Sequence, residues 1–210
     1  MSPGALIRRA FGRHEKRVSE LWRALFFDLA EWTGIVHGWA PEAKRILEVG
    51  CGEGYSTQHL VTAFPDAQVD AIDIAPNIGR LYGGPAGRAN FRIVSAEDLA
   101  GEEPGVYDLI VLADVFHHVP REARESLLRA IAALLAPGGV FAFKDWHRNA
   151  APIYYAAYAS DRWLTGDRIA YLTPAEARAA LRPVFGEGAI RGECVIRPWR
   201  NNYAICVVPR

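Results

Sequence analysis

The spacing of apolar residues changes character along the chain. From Ala5 to about Ala30, Ile7, Phe11, Val18, Leu21, Trp22, Leu25 and Leu29 recur at helical intervals, while Arg8, Arg9, Arg13, Lys16 and Arg17 fill much of the other side. This predicts an amphipathic helix that packs on the main domain or, in a sharper reading, rests on a membrane or roofs an apolar pocket. From residue 45 short apolar runs take over. Arg45–Gly50 (RILEVG), Ala67–Ile74 (AQVDAIDI), Asn90–Val94 and Tyr107–Ala113 (YDLIVLA) read as strands, the last apolar almost throughout, as a strand covered on both faces would be. Helices are expected over Tyr55–Phe64 and from near Pro120, a favoured first-turn residue, to Leu135. Pro137-Gly138-Gly139 should turn the chain into a strand at Val140–Lys144. This alternation predicts an α/β fold with a parallel sheet and helices on both faces.

The last part of the chain reads differently. Ala151–Trp163 predicts a Tyr- and Ala-rich helix over the sheet edge, and Thr173-Pro174-Ala175-Glu176 is a capping box that starts a short helix. Strands near Ala189–Arg197 and Asn202–Val208 are joined so closely that they must pair antiparallel. The expected plan is one domain: a helical cap over residues 1–44, a core over 45–145, and a lid helix with a hairpin over 146–210.

Composition narrows the function. A chain of 210 residues buries about 70% of its unfolded surface and needs no disulfide or metal staple. Lys+Arg and Asp+Glu both total 24, and a balanced charge argues against a nucleic-acid partner. Cys51, Cys194 and Cys206 are scattered, with neither a disulfide framework nor zinc-ligand spacing. With no apolar run of membrane-spanning length and no signal-peptide core at the start, a cytoplasmic location is expected.

The most informative segment is Glu48-Val49-Gly50-Cys51-Gly52-Glu53-Gly54, between a strand and a helix. Gly50 and Gly52 permit a sharp turn and close approach of a ligand to the main chain. A dinucleotide motif would need glycine where Tyr55 stands. Glu48 and Glu53 would repel a pyrophosphate, each by about a kcal/mol or more; a positively charged ligand suits them. Asp73 ends the second strand, where its carboxylate can accept both hydroxyls of a ribose. Asp70 competes for that role but lies earlier in the strand.

The segments ILEVGCGEG (46–54), VDAIDIAP (69–76), VSAEDL (94–99), YDLIVLADVFHHV (107–119) and LLAPGGVFAF (134–143) together resemble the class I S-adenosylmethionine (SAM)-dependent methyltransferases, particularly those acting on small molecules. The resemblance implies a Rossmann-like, seven-stranded sheet in the order 3-2-1-4-5-7-6 with the last strand antiparallel. It implies SAM as cofactor. Glu48, Gly50 and Gly52 would face its methionine moiety, with Tyr55 beside them at the helix start. Asp73 would bind the ribose and Ile74 would lie against the adenine. Ala113 and Asp114 would line the path to the acceptor. The family often has an acidic residue just before the Ala96-Glu97 pair. Here it is Ser95, so Ser95 or Glu97 would serve the adenine.

A hydroxyl acceptor must lose a proton, and His117, His118 and Asp145 follow the fourth and fifth strands at the expected rim. Either His, oriented by Asp145, would make a base dyad; otherwise one His caps the helix entry and Asp145 is a turn residue. His147, Tyr154, Tyr155, Tyr158 and a lid at Asp161-Arg162-Trp163 are nearby candidates. An adjacent His pair does not suggest a metal. The function expected is methyl transfer to a small organic acceptor, oxygen first and carbon or nitrogen behind. One variant places a lipid or quinone in the pocket, with peripheral membrane contact through residues 5–30 and with Trp22, Phe26, Phe27, Trp32 and Trp39 as its apolar surface. The alternatives are an NAD(P)-dependent oxidoreductase, or a SAM-binding protein acting as a scaffold or cyclase.

Overall fold

The computed structural model describes residues 28–160 and 169–209. The amphipathic segment 5–30 falls almost wholly outside the described residues, as does the lid at 161–163. The chain's apolar runs form a seven-stranded sheet in the order β3-β2-β1-β4-β5-β7-β6. The strands are β1 (Arg45–Val49), β2 (Gln68–Asp73), β3 (Ala89–Ile93), β4 (Tyr107–Ala113), β5 (Leu135–Trp146), β6 (Ile190–Ile196) and β7 (Asn202–Val207). The first five pair in parallel; β7 runs antiparallel to both β5 and β6. Strand order and closing hairpin match the expectation.

Period-two alternation divides the core. Leu47, Ile110, Leu112, Phe141, Phe143, Ile205 and Val207 face one layer, made by the helices α3 (Ala96–Glu102), α4 (Arg121–Leu134) and α6 (Pro174–Phe185). Ile46, Val69, Leu109, Val111, Ala142 and Ala204 face the other, made by α1 (Leu29–Trp39) and α2 (Tyr55–Ala63). A smaller cluster packs Trp146 and Tyr171 against Ile153 and Tyr154 of α5 (Pro152–Ser160). Among the described residues, no helix is long and apolar enough to cross a membrane.

Three local expectations change. Helix α1 starts at its own Asp28 cap, which accepts from the Glu31 amide at 2.9 Å, and runs on to Trp39, so a helix begins where the one expected over residues 5–30 would end. Trp32, read as part of a lipid-facing surface, is 1% exposed and meets Trp39 edge-on at 6.1 Å, so its burial is spent on the core. Pro137-Gly138-Gly139 is no free turn: β5 begins at Leu135, and its register against β4 slips between Tyr107 and Leu109. A Cβ on Gly139 would lie 2.8 Å from the Tyr107 carbonyl oxygen, so the close approach of β4 requires glycine there.

Candidate active site

Parallel strands deliver their carboxyl ends to one rim, and the loops after β1, β2, β4 and β5 meet there. The loop after β1 is shaped by three left-handed glycines, Gly50, Gly52 and Gly54, at φ 76°, 50° and 84°. Two of them serve packing. A Cβ on Gly50 would come within 2.3 Å of the Val115 side chain, and one on Gly54 within 2.9 Å of Gly79. At Gly52 a Cβ would meet nothing within 4 Å, so this glycine borders open space.

The loop's own amides are committed. Gly50 and Cys51 donate to the Ile72 carbonyl at 2.8 and 3.0 Å, Gly54 to the Cys51 carbonyl at 3.0 Å, and Gly52 to Asp73 Oδ2 at 2.8 Å. A pyrophosphate-binding turn needs such amides to aim at the ligand; here four of the five from Gly50 to Gly54 point at protein acceptors. Glu48 is buried and accepts from the hydroxyls of Ser56 and Thr57, the latter at 2.5 Å, so it ties the loop to α2. Glu53 corrects the charge argument made from sequence: Arg80 pairs with it at 2.7 Å and offsets its charge. The field in the loop is still negative. Burial first, then Glu48 and Asp73, push the Cys51 thiol well above its ordinary range; the field that opposes a thiolate favours a cation.

Asp73 is half-buried, with Oδ1 accepting from the Ala75 amide at 2.9 Å. Ile74 beside it is 79% exposed, and Ile93, paired with Asp73 across β3, is 61% exposed. Asp70, the competitor, is buried among Arg45, Asn90 and Tyr107 and braces the sheet. Ser95 caps α3, accepting from the Asp98 amide at 3.0 Å and donating to its carboxylate at 2.7 Å. Ala96 is buried, Glu97 is exposed, and Tyr55 opens α2 with its ring 5.2 Å from His59.

After β4 the chain turns through Asp114 at φ 58°. Lys144, fully buried on β5, donates to both Asp114 oxygens at 2.6 Å. No local sequence pattern links these two residues; the parallel register of β4 and β5 brings them together. Ala113, at the end of β4, packs on the α1–α2 side.

Of the two histidines, His117 meets Asp145. Its Nδ1 lies 2.5 Å from Asp145 Oδ1, and both side chains are almost wholly buried. His118 stacks beside it at 4.1 Å, and Tyr171 covers it at 4.5 Å. Asp145 Oδ1 also accepts from the Trp146 amide at 2.7 Å, while Oδ2 accepts no hydrogen bond among the described residues. Tyr203, opposite Asp145 in the β5–β7 register, has a buried hydroxyl without a hydrogen-bond partner among the described residues. Burial and the nearby Asp145 charge raise its phenol well above the ordinary value. His147 is held lower by burial and sits 6.3 Å from the Tyr203 ring. Tyr154, Tyr158 and Tyr171 line a cleft of about 380 Å³, whereas Tyr155 points out at 59% exposure. Among the described residues no cluster could hold a metal ion.

A profile of the methyltransferase domain matches residues 47–141. The ubiquinone biosynthesis O-methyltransferase of Bordetella bronchiseptica is 35% identical over 161 residues, covering 69% of this chain and 65% of the relative. Its namesake in Xanthomonas euvesicatoria is 33% identical over 168 residues, covering 75% of this chain and 69% of the relative. The chain belongs to the class I SAM-dependent methyltransferases. In shape the chain is similar to the Burkholderia thailandensis 1,6-didemethyltoxoflavin-N1-methyltransferase crystallised with S-adenosylhomocysteine. The TM-score is 0.69 at 17% identity, over 100% of this chain and 91% of that one, a likeness of fold alone. The chain spans 65%, 54% and 65% of the length of three Bordetella relatives.

The residues present fit the family's cofactor. A loop with a negative field, open space at Gly52 and an exposed Ile74 beside a half-buried Asp73 suits a cationic sulfur nucleoside.

Proposed function

We propose that this methyltransferase acts on a hydroxyl oxygen of a small organic acceptor, with His117 as base and Asp145 holding it. The observation that carries this reading is the buried His117 Nδ1–Asp145 Oδ1 contact of 2.5 Å at the rim of β4 and β5. Bound SAM would supply an electrophilic methyl group on a positively charged sulfur. Asp73 would accept the ribose hydroxyls with lone pairs that the Gly52 and Ala75 amides leave, since a carboxylate offers about four acceptor sites. Ile74 would provide an apolar surface for the adenine, and the Ser95–Glu97 segment would close its edge. Glu48 would act through the loop it braces. Asp114, held by Lys144, would border the route to the acceptor.

The Nδ1–H of His117 donates to Asp145, which makes Nε2 the basic nitrogen. The acceptor's hydroxyl proton passes to Nε2, and the Asp145 carboxylate stabilises the imidazolium that results. Burial excludes water from the pair, so alignment contributes alongside the base.

The relatives are named for O-methylation in ubiquinone biosynthesis, which supports oxygen as the acceptor atom and a phenol as its carrier. The same name favours a second reading, a lipid-bearing acceptor met at a membrane surface through residues 5–30. Failure of the full-length chain to sediment with anionic liposomes would remove it. The free thiols of Cys51, Cys194 and Cys206 support a cytoplasmic setting. The test of the main reading uses methyl-labelled SAM and a catechol: label is expected on a hydroxyl oxygen. Label on amine or carbon acceptors with none on phenols would overturn it.

A further inference from the structure

The two oxygens of Asp145 are used unequally. Oδ1 accepts from the Trp146 amide at 2.7 Å and meets His117 Nδ1 at 2.5 Å, while Oδ2 accepts no hydrogen bond among the described residues. The side chain is 0% exposed, so bulk water does not supply the missing donors. A carboxylate offers about four acceptor sites, and a buried one left half-served is costly. A donor stands opposite. Tyr203 pairs with Asp145 across β5 and β7, on the sheet face that also carries Phe143 and Ile205. Directly opposed residues of an antiparallel pair have Cβ atoms about 4.5–5.5 Å apart. The phenol is itself buried, and its hydroxyl has no hydrogen-bond partner among the described residues. An acceptor in want of a donor and a donor in want of an acceptor thus stand on paired residues of one sheet face.

Charged groups on the neighbouring elements are engaged elsewhere. From α4, Arg124 gives its Nε and one Nη to the carbonyls of Val119 and Ala170, at 3.1 and 2.9 Å. From α6, Glu176 is itself an acceptor, bonded to Thr173 and paired with Arg148 at 2.6 Å. His147, two residues along β5, meets the Tyr203 ring edge-on at 6.3 Å. His118 and Tyr171 pack on the His117 ring at 4.1 and 4.5 Å. Burial and then the Asp145 charge keep the Tyr203 phenol protonated, so it remains a donor.

Resting on the dyad proposed above, we infer that Tyr203 is a positioning residue for it: the phenol donates to Asp145 Oδ2, directly or through one water, and so fixes the carboxylate with Oδ1 on His117. The bond also sets how basic the dyad is. A donor on Oδ2 draws off part of the carboxylate's charge and stabilises the unprotonated pair over the protonated one. Without that donor Asp145 would hold the imidazolium more firmly, leaving less neutral His117 to accept a proton.

Tyr203→Phe removes one oxygen and keeps the ring that packs on Phe143 at 6.1 Å. The full-length chain, isotope-labelled at the histidine ring nitrogens and saturated with S-adenosylhomocysteine, is titrated by NMR; the His117 signal is the one missing from His117→Gln. The His117 titration is expected to move up by about half a pH unit or more in the variant. With catechol and saturating SAM, the acid limb of kcat should move up with it while the plateau above changes little. Lost packing alone would lower stability or rate at every pH and leave both titrations in place. An unmoved or lowered His117 titration overturns the inference, whatever the rate does. A raised titration with an unmoved kcat profile supports the Tyr203 bond and sinks His117 as the base instead. A crystal structure of the unaltered protein gives an answer that does not depend on the variant folding. The phenol, or a water bonded to it, is expected within about 3.2 Å of Oδ2, and Oδ2 bonded to Arg124 alone overturns the inference.

Discussion

At the scale of single residues, the glycine loop separates two roles that one motif conceals. Gly50→Ala puts a methyl group 2.3 Å from a Val115 methyl at φ 76°. We expect a stability loss of about 2–4 kcal/mol from overpacking plus left-handed strain, partly restored in the double variant with Val115→Ala. Gly52→Ala meets no protein atom within 4 Å, so its expected cost is about 1 kcal/mol of strain with at least a tenfold loss of S-adenosylhomocysteine affinity. Paired denaturant melts and calorimetry check both; a Gly52→Ala protein with undiminished affinity would remove the loop from the site. At the dyad, His117→Ala should lower kcat by about 10²–10⁴-fold and Asp145→Asn at least tenfold, with His118→Ala costing less than either, in assays at saturating SAM. Sequence could name both histidines but not choose between them, because adjacent residues leave a short turn in different directions. Only the placement of β5 beside β4 decides. The charge of Glu53 is likewise set by tertiary placement, since its neutralising partner, Arg80, is supplied by a later loop.

At the scale of elements, local chemistry was the most legible. The Thr173 box is present with both reciprocal bonds, and Thr173→Ala should destabilise the protein by about 1 kcal/mol in urea titrations. Its acidic partner has a pH signature. The Thr173 amide, and then the Thr173 hydroxyl and Arg148, lower the Glu176 carboxyl from 4.5 to about 2. A depressed carboxylate contributes stability that is full above the unfolded value and is lost as pH falls toward the folded one. Glu176→Gln should therefore flatten the stability profile between pH 4.5 and about 2. The side chain is 42% exposed, so solvent screening keeps the effect modest. Thermal midpoints at pH 6 and pH 3 in both proteins give the answer: an equal drop would disprove the linkage. Strand alternation was equally readable, because each sheet face packs on its own helical layer. The bulged start of β5 was not, because Pro137-Gly138-Gly139 has turn composition and only the neighbouring strand shows why glycine stands at 139.

At the scale of the whole molecule, the order of the strands came from a resemblance rather than from periodicity, which gives elements without neighbours. The class of ligand rests on how the fold disposes of its own amides, and that can be tested on the intact chain. A ligand that binds only the folded state stabilises it by about 2.7 kcal/mol at a concentration one hundred times its Kd. In a domain of this size that corresponds to a rise of roughly 5–10 °C in the melting midpoint. S-adenosylhomocysteine should produce such a rise, because Asp73 and the space at Gly52 are formed in the folded chain and lost on unfolding. NADH at the same concentration should not. A pyrophosphate requires donors, and the amides of Gly50, Cys51, Gly52 and Gly54 already serve Ile72, Asp73 and Cys51. Redirecting them would break the hydrogen bonds that tie this loop to β2 and to itself, at about 1 kcal/mol or more each. A midpoint raised by NADH and unmoved by S-adenosylhomocysteine would show that the loop rearranges to free those amides, and the site would then have to be rebuilt around a phosphate.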